Sequence, residues 1–139
     1  MKKTNQQYLQ IIGFLLMVVT CIITLLPTKT WAAETKTYGD FKYCYNEEYE
    51  GIEILKYKGK AETVKIPKSI DGIPVKVIGS WVCQKKGAFT INKTVKKVSI
   101  PESVVIIKEK AFHRCIALKS VNLPENLQEL EEYAFYECK

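Results

Sequence analysis

Residues 95–117 read VKKVSIPESVVIIKEKAFHRCIA, and residues 118–138 read LKSVNLPENLQELEEYAFYEC. With one set above the other, Pro101 falls on Pro124, Ala111-Phe112 on Ala134-Phe135, and Cys115 on Cys138, at a constant offset of 23 residues. Self-similarity at a fixed period of roughly 20–50 residues is the mark of a repeat architecture. The front of each unit is apolar-x-x-Val-x-(Ile or Leu)-Pro. A third copy, Ala61-Glu-Thr-Val64-Lys-Ile66-Pro67, lies 34 residues before Pro101 rather than 23, so the first unit carries eleven extra residues.

Each half of the unit has a physical role. Alternating residues such as Val121 and Leu123 point inward from a short strand. Proline ends the strand, because it has no N–H to donate to a ladder. Two residues on, Ser69, Ser103 or Asn126 is placed to hydrogen-bond the turning backbone. Three residues on come Ile70, Val104 and Leu127. Ile107, Ala111, Phe112 and Cys115 then fall at i, i+4, i+5 and i+8, as do Leu130, Ala134, Phe135 and Cys138. That spacing covers one arc of a helix or helical turn. In the first unit Ile78, Val82 and Cys83 take these places, with Lys86 for the last cysteine. The extra residues are expected at 71–75, before Ile78, and within 86–93. One unit cannot bury its own apolar side, so neighbours must stack, with their strands in a parallel sheet on one face.

The unit Val-x-Ile-Pro-x-x-Val-x-x-Ile-x-x-x-Ala-Phe-x-x-Cys resembles the BspA-like leucine-rich repeat over about residues 60–139, best in its last two copies. The first unit departs from the pattern, with Val82-Cys83 for Ala-Phe and Lys86 for Cys. The resemblance implies an α/β leucine-rich repeat solenoid. Short parallel strands would line its concave face and helical turns its convex face. It also implies a surface protein, several such proteins being adhesins for host matrix proteins or other cells. Residues 34–60 read as an N-terminal β-hairpin cap. Phe41, Tyr43 and Tyr45 alternate, 46–51 is rich in turn residues, and Ile52 and Ile54 alternate again.

Residues 1–33 have the layout of a secretory signal peptide. Lys2 and Lys3 precede the apolar run 11–26, Pro27 breaks it, and cleavage is expected after Ala32 or Ala33. An uncleaved anchor is the rival, and would give the only membrane contact; sixteen residues fall short of the roughly 20 that span a bilayer. The domains expected are therefore 1–33, the signal; 34–60, the cap; and 61–139, about three repeats. Without 1–33 the net charge falls from +6 to +3. Lysines concentrate in 51–100, where eleven face three acids. Export argues against nucleic acid as the partner of that mild basic patch. The sequence stops at Cys138-Lys139 inside a unit, and a fragment of a longer protein is expected.

No catalytic, cofactor or metal site is expected. His113 is the only histidine, no Cys-x-x-Cys occurs, and no spacing supplies a nucleophile with base and acid. Glu129, Glu131 and Glu132 read as a solvated turn. Cys115 and Cys138 occupy equivalent places, either as small buried apolar residues or within disulfide reach. The candidate binding face is the outward side of the strands: Glu62, Thr63 and Lys65; Lys96, Lys97 and Ser99; Lys119, Ser120 and Asn122. Its lysines suit an acidic protein patch or an anionic glycan at the cell surface, or they keep a solvated sheet from aggregating. Tyr43, Tyr45, Tyr49 and Tyr57 add contacts or pack the cap. The expected function is non-catalytic protein binding and adhesion by a secreted or cell-surface protein. The alternative is a scaffold or spacer for a domain further along a longer chain.

Overall fold

The computed structural model describes residues 34–79 and 87–138. The expected signal peptide lies outside them. Ten strands follow in order: β1 (Lys36–Tyr38), β2 (Phe41–Asn46), β3 (Gly51–Tyr57), β4 (Thr63–Lys65), β5 (Ser69–Ile70), β6 (Ile73–Ile78), β7 (Lys97–Ser99), β8 (Ile106–Ile107), β9 (Ser120–Asn122) and β10 (Glu129–Leu130).

Equivalent residues of successive units pair in parallel. β4, β7 and β9 form a three-stranded sheet with Val64, Val98 and Val121 in line. A larger sheet runs β1-β2-β3-β6-β8-β10, with β5 added beside β6. Ile78, Ile107 and Leu130 align across its parallel part. This second set of parallel strands has no counterpart in the sequence reading.

Pairing offsets locate the extra residues of the first unit. β4 pairs β7 at an offset of 34, β6 pairs β8 at 29, and the later strands pair at 23. Five of the eleven therefore precede β6 and six follow it. The five build a hairpin: β5 and β6 pair antiparallel across Asp71-Gly72, with φ of 51° and 80°. Asp-Gly suits a turn that needs both central residues at positive φ.

The other six lie elsewhere than expected. The Phe89 amide donates to the Ala111 carbonyl at 2.7 Å, as the Phe112 amide donates to Ala134 at 2.8 Å. Ala88-Phe89 is thus the first unit's Ala-Phe pair, 23 residues before Ala111-Phe112, and Asn92 takes the cysteine position. The assignment of Val82-Cys83 and Lys86 to these roles is corrected. The inserted residues fall between Ile78 and Ala88, not within 86–93. Val82, Cys83 and Lys86 themselves lie outside the described residues.

The helical arc is corrected as well. Among the described residues there is no helix, and the described fold is strands and turns, not α/β. Ala111 N donates to Lys108 O, His113 N to Lys110 O, and Cys115 N to Phe112 O, each reaching back three residues. Lys110 and Arg114 have φ of 58°, Tyr133 has 59° and Glu137 has 56°. A left-handed residue at each of these points stops a right-handed helix before it can propagate.

One apolar cluster joins both sheets. It takes Val64 and Val98 from the three-stranded sheet, and Ile54, Ile78 and Ile107 from the larger one. Aromatic rings run through it from Phe41 to Tyr57, Phe89, Phe112 and Phe135, with centroids 5.2, 5.2, 4.7 and 4.9 Å apart in turn. The Tyr57 amide donates to Ala88 O at 2.9 Å, so the β2–β3 hairpin enters the same ladder as the repeats. Asn46 Oδ1 turns the hairpin by accepting from the amides of Glu48 and Tyr49. Tyr43 and Tyr57 are buried, Tyr49 is half-buried and Tyr45 is exposed.

Candidate functional site

The three-stranded sheet brings all nine predicted residues together. Val64 and Val98 are buried and Val121 is half-buried, which turns their strand neighbours to the other side. Register then aligns Thr63, Lys97 and Ser120 in one row, and Lys65, Ser99 and Asn122 in the next. Glu62, Lys96 and Lys119 lead into the three strands at equivalent places. Ser99 is half-buried and the other eight are exposed.

The face is electrostatically lopsided. Lys96 Nζ pairs with Glu62 Oε1 at 2.5 Å. Lys65, Lys97 and Lys119 make no ion pair among the described residues. Adjacent strands stand about 4.8 Å apart, so three uncompensated ammonium groups share a narrow strip with hydroxyl and amide side chains. Such a strip can attract anionic groups and hydrogen-bond them at many points. Backbone bonds hold it rigid: the Glu62 carbonyl accepts from the amides of Lys96 and Lys97, and the Lys96 carbonyl from those of Lys119 and Ser120.

The remaining candidates are structural. Ser103 Oγ donates to Lys68 O at 3.0 Å, and Asn126 Nδ2 reaches Glu102 O at 3.5 Å, so these polar residues tie one unit to the one before. Cys115 and Cys138 are free thiols, not a disulfide. Each donates to the preceding unit, Cys115 to Phe89 O at 3.0 Å and Cys138 to Phe112 O at 3.2 Å. Burial pushes the Cys115 thiol up to about 12 and raises Cys138 too. Asn92 replaces the thiol in the first unit, its Oδ1 accepting from the amides of Thr94 and Val95. His113 is half-buried, stacked on Tyr136 at 5.7 Å. Glu131 Oε2 caps the Glu109 amide at 2.9 Å. Among the described residues no group of three His, Cys, Asp or Glu is arranged to hold a metal ion, and no helix is long and apolar enough to cross a membrane.

Two features were missed from the sequence. Ala88-Phe89 carried a usable signal, the 23-residue offset to Ala111-Phe112. Glu53 carried none: between Ile52 and Ile54 it reads as an outward residue, yet it is buried.

Comparison with known proteins agrees with this geometry. Residues 85–139 match the family model described as BspA type Leucine rich repeat region (6 copies). No curated protein matches the chain. The solved leucine-rich repeat protein of T. pallidum is 32% identical, with a TM-score of 0.65 over 75% of this chain and 46% of that one. A leucine-rich repeat protein of Bacteroides capillosus is 28% identical, with a TM-score of 0.61 over 73% of each chain. A leucine rich cell surface protein of Faecalibacterium prausnitzii A2-165 is 27% identical, with a TM-score of 0.56 over 73% of this chain and 27% of that one. The chain thus spans about half the length of the T. pallidum protein. With its 23-residue register, its parallel stacking and its Ala-Phe ladder, the repeat region of this chain belongs to the BspA-type leucine-rich repeats.

Proposed function

We propose that the protein is a secreted or cell-surface binding module, without catalysis, that adheres through the β4-β7-β9 face to an acidic protein or an anionic glycan. The observation that carries this is one exposed lysine on or beside each of the three paired strands, Lys65, Lys97 and Lys119, none of them in an ion pair among the described residues. The apolar N-terminal run and the likeness to the F. prausnitzii cell surface protein support an exported location. Parallel stacking supports a solenoid whose first end is covered by the β2–β3 hairpin, with the lysine strip on its concave side.

The mechanism is surface complementarity. The lysines steer an anionic partner, and the rows of Thr63, Ser99, Ser120 and Asn122 then hydrogen-bond it. Binding of the exported chain to fibronectin-coated and heparin-coated surfaces tests this. Binding that is lost when Lys65, Lys97 and Lys119 are all changed to Glu supports the face. Undiminished binding rejects it, and binding to neither surface favours a scaffold role.

A further inference from the structure

Glu53 stands on β3, the strand that joins the hairpin to the repeats. It pairs across to Cys44 on β2 and to Val77 on β6. Its neighbours Ile52 and Ile54 belong to the core cluster, so Glu53 projects from the opposite face of the sheet. That face is not open: Glu53 is 4% exposed. Its Oε2 accepts one bond, from Asn46 Nδ2 at 2.8 Å, while Oε1 is buried with no hydrogen-bond partner. An ionised carboxylate has room for about four hydrogen bonds, and burying its charge with one is strongly unfavourable. Protonation removes that charge and leaves the bond from Asn46 in place.

The charged groups around it do not reverse the balance. Lys108, which follows β8 and is itself buried, favours the ionised form, with its Nζ 5.9 Å from the centre of the Tyr49 ring. Glu131, which follows β10, and Glu48, in the β2–β3 turn, oppose it. Desolvation outweighs each of them and holds the carboxyl above its ordinary value of 4.5.

We propose that Glu53 is a proton-binding site built into the junction between hairpin and repeats: the chain takes up a proton there as it folds, and release of that proton loosens the junction. Because the folded state binds this proton more tightly than the unfolded chain, the associated stability is fully present below about pH 4.5. It is lost as pH rises through the raised folded value. Mild acid therefore fastens the hairpin to the repeats, the reverse of the usual effect of acid on a paired carboxylate.

The test is a ¹³C-carboxyl NMR titration of the full chain, joined to urea midpoints of the wild type and Glu53→Gln across the acid-to-neutral range. Glu53 is expected to titrate above 4.5. The variant, which keeps an acceptor for Asn46 but no charge, is expected to gain on the wild type steadily as pH rises. Lys108→Met should move the Glu53 titration further up, and Glu131→Gln should move it down. Titration of Glu53 at or below 4.5, or a gap between the two proteins that does not change with pH, overturns the proposal. Should Glu53→Gln fail to fold, the wild-type titration decides alone.

Discussion

Phe89 and Phe112 stack with their ring centroids 4.7 Å apart and their planes 16° from parallel, while the amide of Phe89 donates to the carbonyl beside Phe112. One residue thus carries both the packing and the backbone bond that join two units. Repeats that touch only their neighbours depend on such interfaces, because no distant contact can substitute for them.

Phe112 lies between Phe89 and Phe135 and is fully buried, so Phe112→Ala removes a whole ring from the ladder. A loss of about 3–5 kcal/mol is expected. Phe135 is only half-buried, and Phe135→Ala should cost distinctly less. Urea unfolding of both variants gives the comparison, and equal losses would show that the ladder does not organise the fold.

Gly87 sits where a Cβ would lie 2.1 Å from the Lys110 carbonyl oxygen and 2.7 Å from the Ala111 Cα. These are backbone atoms, so Gly87→Ala must push two units apart and strain the bond from Phe89 to Ala111. Overpacking of this kind costs about 1–3 kcal/mol. The melting temperature should fall accordingly, with amide exchange at Phe89 accelerated more than at Phe112.

The Cys115 thiol, held near 12 by burial, should be inert. Only about one molecule in ten thousand carries the thiolate at pH 8. Iodoacetamide at that pH should label half-buried Cys138 first, and Cys115 only when denaturant opens the ladder. Rapid labelling of Cys115 in the folded protein would contradict its placement against Phe89 O.

Lys65, Lys97 and Lys119 are exposed and outside the core, so their triple change to Glu should leave stability within about 1 kcal/mol of the wild type. Binding to a heparin surface should instead weaken, and lose the steep salt dependence expected of uncompensated cations. Thermal melts beside salt-series binding separate the two effects. A large drop in melting temperature would show that these lysines serve the fold instead.

Much of this was legible in particular residues. Pro101 and Pro124 marked the ends of β7 and β9, and Ala111-Phe112…Cys115 marked the turn that follows. Six residues of the candidate face, Thr63, Lys65, Lys97, Ser99, Ser120 and Asn122, followed from alternation about Val64, Val98 and Val121, while Glu62, Lys96 and Lys119 precede the strands. The helical arc misled because apolar residues at helical spacing line one side of a helix and of successive tight turns alike. Only the backbone angles of Lys110 and Arg114 distinguish the two. The first unit misled because the register was carried forward from Pro67 through the insertion, and not back from Ala111-Phe112, whose 23-residue offset falls on Ala88-Phe89.

By itself the sequence determined that residues 61–138 are built of repeating units, what their period is, and that Val64, Val98 and Val121 face inward from their strands. These are properties of local spacing, and the 23-residue offset repeats wherever a unit repeats. Tertiary structure alone decided that a second set of parallel strands forms beside the first where helical turns were expected, and that Glu53 is enclosed. Each of these depends on what a residue meets across a strand or a stack. A buried carboxylate is spelled the same way as an exposed one, and only the neighbouring strands and turns take its water away.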